Sequence, residues 1–287
     1  MSKRLFLLSL SIVTAAALFY SCLPDPLEVR GVPDIKPQIV VSSQILSDQS
    51  LVVMLTKSFG ALDATDESDP QELLNQIAIN DAQVTLTGAM GTDTLNFISS
   101  GIYGGLTNPL QGDQSYTLNV SSPSMGNVSA STVVKNQVQF EEIEAELIFN
   151  GFDDTLAQVT YKFNDLPGRN FYMINVQRIR QQNLQEQLLN PRAFIRLLTD
   201  EAFDGKTHSE RFRVFPTDFS DGDTLAVYLS NISEEYYRFI KLRVDNRFSF
   251  VEFLGEPINY PSNVVGGKGF FNLYLPDIRT FTLSVKE

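Results

Sequence analysis

At 287 residues, with 43% hydrophobic residues, 21 Phe and 10 Tyr, the chain is long and apolar enough to bury real cores and is not disordered overall. Its formal net charge of −12, with no basic stripe or aromatic-basic motif, excludes a nucleic-acid partner, because such a field repels phosphate backbones. The single cysteine, Cys22, leaves no intrachain disulfide, and the single histidine, His208, rules out a multi-histidine metal site.

Lys3 and Arg4 precede an apolar run over residues 5–19, which Tyr20, Ser21 and Cys22 close. This is the layout of a bacterial export signal over residues 1–21. A cysteine at the cut points to a lipoprotein, with Cys22 acylated as the first residue of the mature chain. The run is shorter than the about 20 residues a spanning helix needs. Removing Lys3 and Arg4 from the 22 basic residues leaves 20 against 34 acidic ones, a balance of −14. That balance disfavours an electrostatic hold on anionic lipid, so the acyl chains are the expected membrane attachment. Pro24, Pro26, Pro33 and Pro37 then predict an extended tether over residues 22–37.

Short β-rich runs follow at 38–45 and 50–56, with Ser47, Asp48 and Gln49 as the turn between them. An acidic stretch over 64–70 leads into one or two helical turns just past Pro70. Alternation marks strands at 82–87, 94–98, 115–120 and 127–134. Six such strands over about 100 residues predict a first β-sandwich at 38–135.

A second block, 136–287, opens with alternating runs at 138–149, 158–163 and 170–180. Residues 181–199, rich in Gln and Leu and interrupted by Pro191, read as a loop with short helical turns. After a strand at 224–229 the period changes: Ile232, Tyr236, Phe239, Ile240 and Val244 share one helical face. Ser233 is placed to cap it and Glu234 and Glu235 fall in its first turn, so a short amphipathic helix is expected near 232–245. A Gly- and Pro-rich loop over 256–269 and β-type runs at 270–275 and 280–285 finish the chain.

Chemistry-bearing patterns are few. His208 sits in a polar stretch and reads as an exposed, solvated loop histidine; no Gly-x-Ser-x-Gly elbow accompanies it for a triad. Gly266, Gly267, Lys268 and Gly269 match a phosphate loop in composition only, because the run opens onto a strand. Asp218, Asp221 and Asp223 depart from the calcium-loop spacing and read as a turn. Two carboxylates suffice for glycoside hydrolysis, yet no spacing selects a pair, and without Trp the commonest sugar-stacking platform is missing. No catalytic residue, metal ligand or cofactor is therefore expected. Thr94, Thr155 and Thr224 stand in Asp-Thr-Leu triplets where a turn enters a strand. Turn and strand preferences explain the triplet. It also resembles the O-glycosylation acceptor of Bacteroidota exported proteins, which makes the three threonines candidate modification sites.

The C-terminal stretch carries a wider resemblance. Glu235, Tyr236 and Tyr237 are followed by Phe253, Glu256, Pro257, Pro261, Ser262, Asn263 and Val264, then Gly266, Gly267, Lys268, Gly269 and Phe271. This resembles the closing signature of a Bacteroidota lipoprotein family known as domain of unknown function 4249. Residues 81–84, 116–118 and 39–41 are similar to its first part. The resemblance implies an outer-membrane lipoprotein commonly encoded beside a TonB-dependent receptor, and it brings no catalytic residue.

Physically, the glycines permit backbone angles other residues resist, while Pro257 and Pro261 stiffen the approach. Phe270, Phe271 and Tyr274 are expected to pack the loop onto the second domain. Glu256, Pro257, Asn263, Gly266, Gly267, Gly269 and Phe271 thus form either a structural loop or a partner-docking surface. The expected fold is all-β: two β-sandwich domains, immunoglobulin-like or transthyretin-like, the second with the short helix. The expected function is a non-enzymatic accessory lipoprotein of the outer membrane, surface-exposed or on the periplasmic leaflet. It would capture or gate substrate for a TonB-dependent transporter. A structural or adhesive surface module and a carboxylate-based hydrolase are the alternatives.

Overall fold

The computed structural model describes residues 36–46, 49–58, 70–106, 108–149, 155–179, 194–214, 219–246 and 260–284. Cys22, the export segment, nearly all of the tether, Phe253, Glu256 and Pro257 lie outside the described residues.

Alternating apolar residues build the first sheet. Strands β1 (Ile39–Ile45) and β2 (Leu51–Lys57) pair antiparallel, Ile39 opposite Lys57 and Ile45 opposite Leu51. Helix α1 (Pro70–Ile77) starts at its proline, which already has the helical φ and whose missing N–H costs nothing there. Strands β3 (Gln83–Gly88), β4 (Gly91–Ser99), β5 (Ile102–Gly104), β6 (Gln114–Ser122) and β7 (Gly126–Val134) follow. Val84, Leu86, Leu95, Leu118, Val120, Val128 and Ala130 point inward from them into one apolar core. Tyr103, buried there, satisfies its hydroxyl by donating to the Ile79 carbonyl at 2.9 Å and accepting the Ala82 N–H at 3.1 Å.

Two further sheets form a second core. Strands β8 (Phe140–Phe149), β9 (Thr155–Asn164) and β12 (Thr207–Arg213) make one. The other runs β11 (Phe194–Thr199), β10 (Phe171–Ile179), β13 (Thr224–Ile232), β16 (Asp277–Thr282). Val159, Tyr161 and Phe163 of the first meet Tyr172, Ile174, Val176, Leu225, Val227 and Leu229 of the second.

The opposite face of that four-stranded sheet is covered as well. Phe171, Met173 and Ile232 join the first core, together with Tyr236 and Ile240 of helix α2 (Glu234–Asn246). β13 is therefore buried on both faces, which explains its near-continuous apolar run.

The closing segment changes the domain organisation read from chain order. β14 (Val264–Val265) pairs with β7, while β15 (Lys268–Phe270) pairs parallel with β1. The nine-stranded order β14-β7-β6-β3-β4-β5-β2-β1-β15 thus begins and ends in one short stretch of chain. Gly266 and Gly267 carry the backbone from one edge to the other. A Cβ on Gly267 would lie 2.5 Å from the Ile39 carbonyl, and one on Gly269, at φ +95°, would lie 2.1 Å from the Val41 carbonyl. Only hydrogen fits at either place.

Four expectations are thereby corrected. Residues 264–270 belong to the first sheet and not to a separate 136–287 block, and residues 37–287 form one compact unit. Phe270, Phe271 and Tyr274 pack into the first core, not onto the second domain, and α2 packs there too. Residues 194–199, expected as loop, are strand β11 paired with β10, and the expected loop around His208 is strand β12. In both, an edge position removes the need for a strong apolar alternation.

Candidate functional site

A cleft of about 560 Å³ opens where β7 faces the N-terminus of α2. Ser115, Ser131, Thr132, Val133 and Lys135 form one side. The other side comes from the β9–β10 turn (Arg169, Asn170, Phe171) and the β13–α2 junction (Asn231 to Glu235), with Asn263 and Phe270 completing the lining.

Local chemistry fixes each of these segments. Ser233 caps α2: its Oγ accepts the Tyr236 N–H at 3.2 Å and its carbonyl the Tyr237 N–H at 2.9 Å. Glu234, in the first turn where the helix dipole favours it, pairs with Arg169 at 3.3 Å and Arg238 at 2.5 Å. The Arg169 guanidinium lies 5.1 Å from the centre of the buried Phe171 ring. Asn170 holds its own turn by donating to the Leu166 and Gly168 carbonyls at 2.8 and 2.7 Å, and its Oδ1 accepts from Asn231 at 3.3 Å. Asn263 accepts the Phe271 N–H at 2.9 Å and donates to the Phe271 and Ser131 carbonyls at 2.7 and 3.2 Å. The lining offers hydroxyls, amides and two charges of each sign, a composition suited to hydrogen-bonded recognition of an overall neutral, polar ligand.

Of the residues singled out from sequence, Asn263 lines this cleft, with Gly266, Gly267, Gly269 and Phe271 in the closing segment beside it. Phe271 is fully buried. Thr94 is exposed at the fourth position of β4, opposite Thr85. Its neighbour Asp93 is not a turn residue: it is buried in the strand and accepts from the Asn108 backbone and side-chain amides at 3.3 and 3.1 Å. The Thr155 hydroxyl donates to the Phe219 carbonyl, and half-buried Thr224 sits in the ladder between Ile179 and Thr282. Asp223 accepts from Arg178 at 2.5 Å and from the Ser220 N–H at 2.7 Å, closing a turn; Asp218 lies outside the described residues.

His208 is not a solvated loop residue. Its ring stacks on Phe203 at 4.2 Å and approaches Phe163 at 5.6 Å, and burial holds its pKa below the usual histidine value. Beside it the Tyr161 hydroxyl donates to Glu210 at 2.8 Å, and burial followed by that carboxylate pushes the phenol pKa far up. Arg196 grips Glu210 with two N–H groups, one at 3.0 Å and a shorter one from the Nη2 position.

Sequence reading also missed a carboxylate group drawn from two separate connections. Asp165, Asp200 and Asp204 bring oxygens within 4.8 Å of one another. Each already accepts hydrogen bonds: Asp165 from the Tyr172 hydroxyl and the Gly205 N–H, Asp200 from the Asn170 N–H, Asp204 from the Gly168 N–H. They act as tethers between the β9–β10 and β11–β12 connections.

Among solved structures, a two-domain fibronectin type-III segment of chicken tenascin is 8% identical, covering 68% of this chain and 91% of that one, with a TM-score of 0.22. The alpha chain of the chicken interferon gamma receptor is 8% identical, covering 69% and 89%, with a TM-score of 0.19. Scores this low add nothing to the all-β sandwich architecture described above. Comparison with curated proteins finds no match. A family model described as domain of unknown function (DUF4249) matches residues 25–277, nearly the whole span from tether to β16, and the chain belongs to that family.

Proposed function

We propose that this is an outer-membrane lipoprotein of Bacteroidota that captures or gates substrate for a TonB-dependent transporter without catalysing a reaction. The observation that carries the reading is the cleft between β7 and α2. Its α2 side is fixed by a helix cap and an ion pair, and it is lined by neutral hydrogen-bonding groups and balanced charge. The basic, apolar and cysteine layout ending at Cys22 supports lipid attachment. The mature charge of −14 supports work outside the cytoplasm and leaves the acyl chains as the membrane contact.

The test is extraction of native outer membranes in mild detergent with the full chain as bait. A TonB-dependent receptor is expected in the eluate, and recovery of none removes the reading. The Cys22→Ser variant should keep the wild-type circular dichroism spectrum and lose membrane retention; retention of the variant would rule out Cys22 as the anchor.

A further inference from the structure

Val133 marks where, among the described residues, one side of the cleft is unfinished. The Val134 carbonyl accepts the Asp113 N–H at 2.8 Å on the β6 side, so the backbone N–H and C=O of Val133 point the other way, toward β14. The Ser131 carbonyl points the same way and takes the Asn263 side-chain amide at 3.2 Å. β14 itself pairs only with Ala130 and Ser129. Continued in register, it would set Pro261 opposite Val133, and proline has no N–H to give. Among the described residues none pairs with Val133 on this side, and an open edge of this kind is a template for another strand.

We infer that the cleft takes an extended peptide segment of a partner protein, added antiparallel to β7 beyond Asn263 and hydrogen-bonded to Val133. The inference rests on the binding reading above and names its ligand class. Three features select a peptide. Lys135 and Arg169 balance Glu234 and Glu235 in the lining, so a strongly charged polymer gains nothing. The Phe171 and Phe270 rings are buried, Phe171 under Arg169, which leaves no flat aromatic face for a sugar ring. Residues 132–134 run about 7 Å at roughly 3.4 Å per residue, room for two or three residues of an added strand. Its alternate side chains would lie beside Val133, which is 45% exposed, favouring β-branched residues there.

The experiment uses the full-length protein in mild detergent, panned against a displayed library of random decapeptides. Enriched sequences are synthesised and mapped by hydrogen–deuterium exchange. Expected are binders that slow exchange at Val133 and that lose about tenfold in affinity to Val133→Pro. That N–H faces away from β6, so proline is tolerated in the strand. N-methylating the bound peptide at alternate amides should weaken wild-type binding similarly, a readout independent of how any variant folds. The inference is overturned by no enrichment, by protection elsewhere, by binding indifferent to both changes, or by maltoheptaose protecting the cleft in place of peptides. A receptor recovered from membranes while no peptide binds removes this inference alone; peptides that bind while no receptor is recovered remove the transporter reading alone.

Discussion

Replacing Gly269 with alanine tests the account of the closing segment most directly. The new Cβ would stand 2.1 Å from the Val41 carbonyl oxygen and 2.9 Å from the Val41 nitrogen, where contacts under 3.0 Å force something to shift. Both neighbours are backbone of β1, so no flexible side chain can yield. Relief takes about 1 Å of strand separation, enough to stretch hydrogen bonds past their useful range. The parallel pairings of Val40, Val41 and Ser42 with residues 268–270 weaken together. About two such bonds at roughly 1 kcal/mol each, plus about 1–2 kcal/mol for alanine at positive φ, give about 3–4 kcal/mol. In a domain of this size that lowers the melting temperature by about 6–15 °C. Gly205→Ala is the control, because its φ is +66° and nothing lies within 4 Å of the added carbon. It should cost only the backbone term, about 2–8 °C. Far-UV circular dichroism suits a chain without Trp. Equal melting temperatures for the two variants would refute the steric reasoning.

Asn263→Ala removes three hydrogen bonds around Phe271 and Ser131 and should cost about 2–3 kcal/mol in urea denaturation. Asn263→Asp should cost at least as much, because its carboxylate would face two carbonyls; a milder Asp variant contradicts the assigned geometry. Ser233→Ala deletes the α2 cap and is expected to lower stability by about 1 kcal/mol. Tyr172→Phe strips Asp165 of a buried donor and the Leu166 N–H of its acceptor, for a loss of about 1–3 kcal/mol. His208 gives a pH signature: burial depresses its folded pKa, so its contribution is present above the unfolded value of about 6.5 and is lost as pH falls through the folded one. Urea midpoints should therefore fall from about pH 7.5 to about pH 5.5, and His208→Phe should flatten that slope. An unchanged slope would put the titration elsewhere.

Legibility followed burial. β9, β10 and β13 face packed neighbours, so their apolar residues recur with strand period and could be placed from sequence. The α2 face was legible for the same reason, with Ser233 marking its start. β12 was not, because Thr207 to Arg213 alternate charged and polar residues on an edge strand and only Phe212 is buried. β11 hid behind the Gln-rich stretch before it. The cleft was invisible for a different reason: its sides come from β7, the β9–β10 turn and the start of α2, which local periodicity cannot bring together. The closing glycines were noticed, but their partners Ile39 and Val41 lie at the other end of the chain.

That arrangement has a consequence in time. Synthesis from the N-terminus delivers β1 to β7 long before residues 264–270. Until those few residues arrive, β1 lacks its outer neighbour and β7 lacks even its short one, so the early product has two bare strands at once. Folding to completion is thus a late, nearly single event set by the last part of the chain to be made, slow in the way that pairing of distant strands is slow. Loss of the C-terminal few dozen residues would not simply trim the protein. It would leave a nearly whole sandwich primed to pair with its neighbours.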